Sequence, residues 1–128
     1  MASTAPYSSI DREFDVVKMA KAAGATFVAR STVYHAKQAT DFIREAIIHD
    51  GFSVVEVLSQ CPTHYGRKNK KGSAVDMIES YKTTTTPIGS KAKQENPDLI
   101  ERGIFVQEDL PEYCSEYDRV IERAMGGK

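Results

Sequence analysis

The stretch FSVVEVLSQCPTHYGRKNKKG, residues 52–72, decides the fold of this 128-residue chain. Its first eight residues are nearly all apolar and rich in β-branched side chains, which predicts a strand covered on both faces. Pro62 cannot continue a sheet ladder, so we expect the strand to end before the lone Cys61. The segment then becomes a basic loop between Gly66 and Gly72.

The sequence before this stretch predicts a strand–helix–strand unit. Residues 26–30 form a short apolar run, and residues 39–51 place apolar side chains on one helical face before Gly51. Two strands joined by such a helix are typical of parallel strands with a right-handed crossover. A shorter helix precedes them, with Asp15 as its cap and Gly24 at its end.

The remaining elements are less regular. A helix over 72–82 has a capping box of Ser73 and Asp76, residues 83–94 predict a loop, and residues 96–103 a short helix. Residues 104–107 predict a third strand, and residues 110–127 a last helix with Pro111 in its first turn. We therefore predict an α/β fold: a partial parallel sheet with flanking helices. The organisation is an N-terminal arm (1–14), an αβαβ half-domain with basic loop and helix (15–82), and a loop with an acidic helical tail (83–128).

So few parallel strands make an incomplete sheet, since sheets usually have about 4–6 strands. We expect the sheet to be completed by another chain or by a second copy, so the isolated chain should form a homo-oligomer.

Composition excludes several classes of protein. The chain has ordinary hydrophobic content for a globular domain, 41%, and no run of about 18 apolar residues that could span a membrane. The N-terminus lacks the pattern of a secretory leader, and the two cysteines lie far apart, so we expect a reducing cytoplasm. The net charge is −1, with the acidic residues concentrated after residue 95. The basic cluster at 67–71 contains no aromatic residue, which argues against nucleic-acid binding.

Cys61 is the sharpest candidate for chemistry. It follows a strand at the end where open α/β sheets bind ligands, and nearby cations would favour its thiolate. The alternative is a small buried filler, which is the common fate of a free cysteine. No second cysteine or histidine stands at a strong metal-ligand spacing, since His64 is only a weak partner.

The other candidates carry weaker signals. His35 and His64 each follow a strand and could line a cleft, whereas His49, in the last turn of a helix, suits a structural role. Cys114 on the tail helix is interpreted as a filler in the core or on the surface. The basic loop could hold a phosphate group or an acidic partner, although a solvated loop is the default interpretation.

Several of these segments together resemble a known family. FDVVKMAKAAGATFVAR (14–30), TVYH (32–35), residues 51–77 and GIFVQEDLPEYCSEYD (103–118) are similar to the C-terminal half of the β subunit of 2-oxoacid:ferredoxin oxidoreductases, nearest the 2-oxoglutarate type. The most specific part is VEVLSQCPTHYGRKNK, residues 55–70. The resemblance covers almost the whole chain.

The resemblance implies an enzyme that converts a 2-oxoacid and coenzyme A to an acyl-CoA and carbon dioxide and passes electrons to ferredoxin. Its β subunit binds thiamine diphosphate with magnesium and a 4Fe–4S cluster held by four cysteines, of which the fourth corresponds to Cys61. The implied partners are the rest of the β subunit, the α subunit and ferredoxin. The family's Gly-Asp-Gly segment and its other three cluster cysteines have no counterpart in this sequence.

We therefore expect a portion of a subunit that binds no cofactor and is not catalytically competent alone. The alternative is a non-catalytic α/β interaction module that retains the scaffold of the family.

Overall fold

The computed structural model describes residues 6–7 and 10–126, and its helices and strands alternate along the chain. Five α-helices are present in these residues: α1 (Val16–Ala22), α2 (Ala36–Ile48), α3 (Ala74–Thr84), α4 (Lys91–Glu95) and α5 (Tyr113–Gly126). The four strands are β1 (Phe27–Thr32), β2 (Ser53–Leu58), β3 (Thr85–Pro87) and β4 (Ile100–Gln107). Part of the predicted N-terminal arm, residues 1–5 and 8–9, and the last two residues of the tail lie outside the described residues.

The strand–helix–strand prediction is confirmed. β1 and β2 pair in parallel over their full length, from Phe27 opposite Ser53 to Thr32 opposite Leu58, and α2 connects them. β1 runs two residues further than predicted. The strand order is β2-β1-β4-β3, so β1 is an inner strand and β2 lies at an edge.

The sheet is mostly rather than wholly parallel. β3 and β4 pair in parallel, but β4 runs antiparallel to β1, with a register shift between Val28 and Ala29. The predicted third strand at 104–107 is confirmed and begins four residues earlier, at Ile100.

Two predictions for residues 83–103 are wrong. The segment 83–94, expected to be a loop, contains the end of α3, the strand β3 and the helix α4. The segment 96–103, expected to be a helix, is a turn followed by the first half of β4. Pairing of β4 with both β1 and β3 stabilises the extended backbone there, and such tertiary pairing outweighs local helix signals.

The core lies on both faces of β1, because alternate side chains of a strand point to opposite faces. Val28 packs with α1 residues on one face, together with Val106. Phe27 and Ala29 pack against Phe42 of α2 on the other. β2 is less covered than predicted: its residues are half-buried, and Val57 is exposed.

Local capping follows the sequence signals. The Asp15 carboxylate accepts hydrogen bonds from the backbone N–H groups of Val17 and Lys18 at the start of α1. The predicted capping box of Ser73 and Asp76 is present in both directions at the start of α3. Within the described residues, no helix is long and apolar enough to cross a membrane.

Candidate functional site

Cys61 lies three residues beyond the end of β2, at the carboxyl edge of the parallel pair. Its backbone is extended (φ −117°, ψ 92°), and Pro62 then opens a π-helical turn, Pro62–Gly66. The thiol is exposed and forms no disulfide. The interpretation of Cys61 as a small buried filler is therefore wrong, and the thiol is available to a ligand.

The turn after Cys61 lowers the pKa of its thiol. The largest contribution is the backbone N–H of Tyr65, followed by that of His64 and the hydroxyl of Thr63, whose Oγ1 lies 3.8 Å from Sγ. Amide groups aimed at a sulfur stabilise its thiolate, the form that binds metal. The expected source, the cations of the basic loop, is not among these causes.

A cleft of about 430 Å³ lies beside Cys61, between the π-helical turn and α3. Gly66 allows the close approach of these two elements, since a Cβ at this position would lie 2.5 Å from Met77 Sδ. The buried side-chain oxygen Oε1 of Gln60 has no hydrogen-bond partner among the residues that the structure describes. The lining of the cleft also includes five side chains with a hydroxyl group and one lysine: Ser59, Tyr65, Ser80, Tyr81, Thr84 and Lys71.

The end of β1 contributes a second polar group at the same edge of the sheet, because Thr32 stands opposite Leu58 in the register. Its hydroxyl lies 2.9 Å from Nδ1 of His35. Burial of His35 and the charge of Arg102 lower the pKa of this histidine, so the ring favours its neutral form. The sequence indicated His35 but not Arg102, which comes from β4, 67 positions along the chain.

The remaining candidates lie in different surroundings. Nε2 of His49 lies 2.8 Å from the Thr26 hydroxyl and its ring packs near Phe27, which agrees with a structural role. His64 is exposed in the π-helical turn and does not line the cleft. In the basic loop only Lys71 reaches the cleft, and its backbone N–H bonds to the carbonyl of Gly66.

Cys114 differs from Cys61 in both position and charge. It is exposed in the first turn of α5, and that turn adjoins Gly51 and Phe52, which precede β2. Cys114 is therefore at the amino edge of the sheet, whereas Cys61 is at the carboxyl edge. A hydrogen bond and the negative charge of Glu112 raise the pKa of Cys114.

The donor set decides which groups the site can hold. Among the described residues no group of three or more His, Cys, Asp or Glu side chains could hold a metal ion. Cys61 fits one corner of a cluster, since 4Fe–4S clusters are bound by thiolates. Within the part of the chain that the structure describes, no carboxylate lines the cleft beside it. This lining does not fit a magnesium site, because that ion prefers oxygen ligands with negative charge.

Comparison with known proteins gives this geometry a context. The family described as thiamine pyrophosphate enzyme, C-terminal TPP binding domain, matches residues 1–57. The 2-oxoglutarate synthase subunit KorB of Methanocaldococcus jannaschii is 42% identical over 126 residues, covering 95% of this chain and 46% of that subunit. Its counterpart from Methanothermobacter thermautotrophicus is 37% identical, covering 97% of this chain and 44% of the relative.

The chain matches the C-terminal part of 2-oxoacid:ferredoxin oxidoreductase β subunits. It spans less than half the length of these two relatives. A solved 2-oxoglutarate:ferredoxin oxidoreductase from Magnetococcus marinus superposes with a TM-score of 0.73 at 21% identity, over 98% of this chain and 44% of that one. At this identity the superposition establishes the α/β fold alone.

Proposed function

We propose that this chain forms the C-terminal portion of the β subunit of a 2-oxoglutarate:ferredoxin oxidoreductase and supplies Cys61 as one ligand of a 4Fe–4S cluster. The observation that carries the proposal is the exposed Cys61 thiol at the carboxyl edge of the β1–β2 pair. This edge is where open α/β sheets bind cofactors. The match to the β subunits extends over the segment that contains Cys61.

The chemistry of the proposed enzyme would belong to its cofactors. Thiamine diphosphate with magnesium supplies the carbanion chemistry of 2-oxoacid decarboxylation when bound, and the cluster supplies one-electron transfer. The role of this chain would be to position the Cys61 thiol. The amide groups of the π-helical turn lower the pKa of Cys61 and so favour its thiolate, and the close packing of Gly66 against Met77 holds that turn against α3.

The proposal also names the partners. The other cluster ligands, the magnesium site and the acceptor surface for ferredoxin would lie on the rest of the β subunit, and the α subunit would complete the enzyme. β2 lies at the edge of the sheet of the described residues. An unpaired strand edge is a surface for further strands, so this edge would receive the rest of the β-subunit sheet.

The test uses the assembled enzyme. The chain is produced together with the complementary N-terminal part of a matching β subunit and with the α subunit, and iron content, visible absorption and ferredoxin reduction are measured. We expect Cys61→Ser to lose most of the cluster iron, because oxygen is a poorer ligand than thiolate for such clusters.

The matched control is Cys114→Ser, which removes an exposed thiol at the opposite edge of the sheet and should leave iron and activity unchanged. If Cys61→Ser retains full iron and full ferredoxin reduction, Cys61 is not a ligand. If the assembly forms but neither wild type nor variant binds iron or reduces ferredoxin, the chain is instead a non-catalytic interaction module.

A further inference from the structure

The helix α5 adjoins Gly51 and Phe52 through its first turn but packs none of its side chains into the core. It spans fourteen residues, Tyr113–Gly126, and buries none of them. Tyr113, Tyr117 and Met125 are 76%, 54% and 84% exposed. A helix of this length is marginal in water without packing of its apolar face. The apolar side chains of α5 therefore indicate a helix that packs against a partner.

The spacing of the apolar residues indicates that the partner is another helix. Tyr113, Tyr117, Val120 and Ala124 follow one another at intervals of four, three and four, which is the seam of a two-stranded helix pair. Large residues occupy one end of this seam and small ones the other. If a second α5 runs antiparallel across it, Tyr113 lies against the small Ala124 of the second copy, and Tyr117 against Val120.

The charges beside the seam favour the same arrangement. Glu116 and Arg123 flank the seam on one side, and Cys114 and Ile121 flank it on the other. In the single chain Glu116 pairs with Arg119 of the same helix. In an antiparallel pair, Glu116 of each copy would also lie beside Arg123 of the other. In a parallel pair these residues would not meet across the seam in this way. Opposite charges at flanking positions set the partner and the orientation of such pairs.

We propose that two copies of this chain associate through α5, as an antiparallel helix pair along the seam of Tyr113, Tyr117, Val120 and Ala124. This inference names the helix through which the isolated chain would self-associate, and it is independent of Cys61 and of the oxidoreductase function. The pair is short, and interfaces this small form weak complexes.

The first test is covalent. In a Cys61→Ser background, the substitution Ile121→Cys places a thiol beside the native Cys114 of the second copy. Within one helix these positions are about 10.5 Å apart along the axis, which is too far for a disulfide. Mild oxidation should therefore yield a covalent dimer, identified by a peptide that links positions 114 and 121.

The matched control adds Cys114→Ser to the same protein. The antiparallel pair holds the two copies of position 121 apart, so the control should stay monomeric on a non-reducing gel. A dimer linked through position 121 in the control indicates a parallel pair and contradicts the proposal. Failure of both proteins to cross-link contradicts it as well.

The second test uses charge, at chain concentrations from about 10 to about 500 μM because the complex should be weak. Sedimentation equilibrium should show a monomer–dimer equilibrium that Glu116→Arg weakens about tenfold, since two attractive pairs become repulsive. Combining Glu116→Arg with Arg123→Glu should restore the wild-type dissociation constant.

The control for charge is Glu122→Arg, the same change on the side of α5 that faces away from the seam, and it should leave the dissociation constant unchanged. A monomer at every concentration contradicts the proposal, as does a dimer that is indifferent to the Glu116→Arg change. Neither result bears on the iron content of the assembled enzyme, so the two proposals fail separately.

Discussion

Two cysteines in one chain show how local backbone geometry sets chemistry at the scale of a residue. Both Cys61 and Cys114 are exposed, so burial does not distinguish them. The amides of the π-helical turn lower the pKa of Cys61, whereas the carboxylate of Glu112 raises that of Cys114. The thiolate, which is the form that binds metal, is therefore favoured at Cys61 over Cys114.

The difference predicts unequal reactivity toward an alkylating agent, which attacks through the thiolate. Both thiols start from an ordinary pKa of 9.0. The Cys61 pKa lies below this value and the Cys114 pKa above it, so near neutral pH Cys61 has the larger thiolate fraction. In the variant Cys114→Ser only the Cys61 thiol remains, and in Cys61→Ser only the Cys114 thiol remains. We expect the first variant to react several-fold faster with iodoacetamide than the second.

The dependence of the alkylation rate on pH gives the direction of each pKa shift independently. The rate for Cys61 should reach half its maximum below pH 9.0, and that for Cys114 above it. Equal rates and superimposed profiles would mean that the π-helical turn does not hold its amides toward the sulfur in solution. The substitution Glu112→Gln should lower the Cys114 midpoint and leave that of Cys61 in place.

The sequence pattern indicated Cys61 but missed what lowers the pKa of its thiol, because the backbone amides act on the sulfur only once the turn has formed. It also missed Arg30, whose side chain is nearly buried between Asp15 at 2.8 Å and Glu56 at 2.5 Å, beside the ring of Phe105 at 5.4 Å. These partners come from α1, β2 and β4. No periodicity in the sequence indicates which charges the fold brings together.

At the scale of elements, local signals predicted those parts of the chain that local forces determine. The amphipathic face of α2, the cap of α1 and the capping box of α3 were predicted from neighbouring residues. The segment 83–103 was not, since β3 is three residues long and forms through pairing with β4. A short strand that forms only by pairing with a distant strand carries no recognisable periodicity in its own sequence.

The loop between α2 and β2 gives a prediction at this scale. Gly51 has φ +136°, and a Cβ there would lie 2.4 Å from Oγ1 of Thr26, which lies 2.8 Å from Nε2 of His49. Backbone strain and this clash together should cost about 2–3 kcal/mol in Gly51→Ala. Chemical denaturation measures the change in the free energy of unfolding.

The control for this loop is Gly24→Ala. Gly24 has φ +84° but open space around the added Cβ, so only backbone strain of about 1 kcal/mol is expected. If both variants lose the same stability, the close approach of Gly51 to Thr26 and His49 adds no cost beyond backbone strain. The double variant Gly51→Ala with Thr26→Ala should then recover nothing.

At the scale of the whole molecule, the two ends of the sheet have different roles. The carboxyl edge holds Cys61, the polar end of β1 and the cleft against α3. The amino edge holds the first turn of α5 beside Gly51 and Phe52. The proposed cluster and the proposed helix pair therefore lie at opposite ends of the sheet, and association through α5 leaves the Cys61 edge accessible.

The lining of the cleft at the carboxyl edge leads to a prediction for the binding of thiamine diphosphate. Residues 1–57 match a family of thiamine diphosphate-binding domains, yet none of the described residues that line the cleft at the carboxyl edge is Asp or Glu. The diphosphate carries several negative charges, and magnesium needs carboxylate oxygens to bridge it to a protein. We therefore expect no measurable binding when the chain is titrated with thiamine diphosphate and magnesium in a calorimeter.

The full-length 2-oxoglutarate synthase that contains the Methanocaldococcus jannaschii subunit KorB, titrated under the same conditions, is the positive control. If the isolated chain instead binds with micromolar affinity, its own residues hold the diphosphate, and the site must use cations rather than carboxylates. The substitution Lys71→Ala would then identify it, because Lys71 is the one cationic side chain among the described residues that line the Cys61 cleft. Retained affinity in Lys71→Ala would place the diphosphate elsewhere and separate the cofactor site from the proposed cluster site.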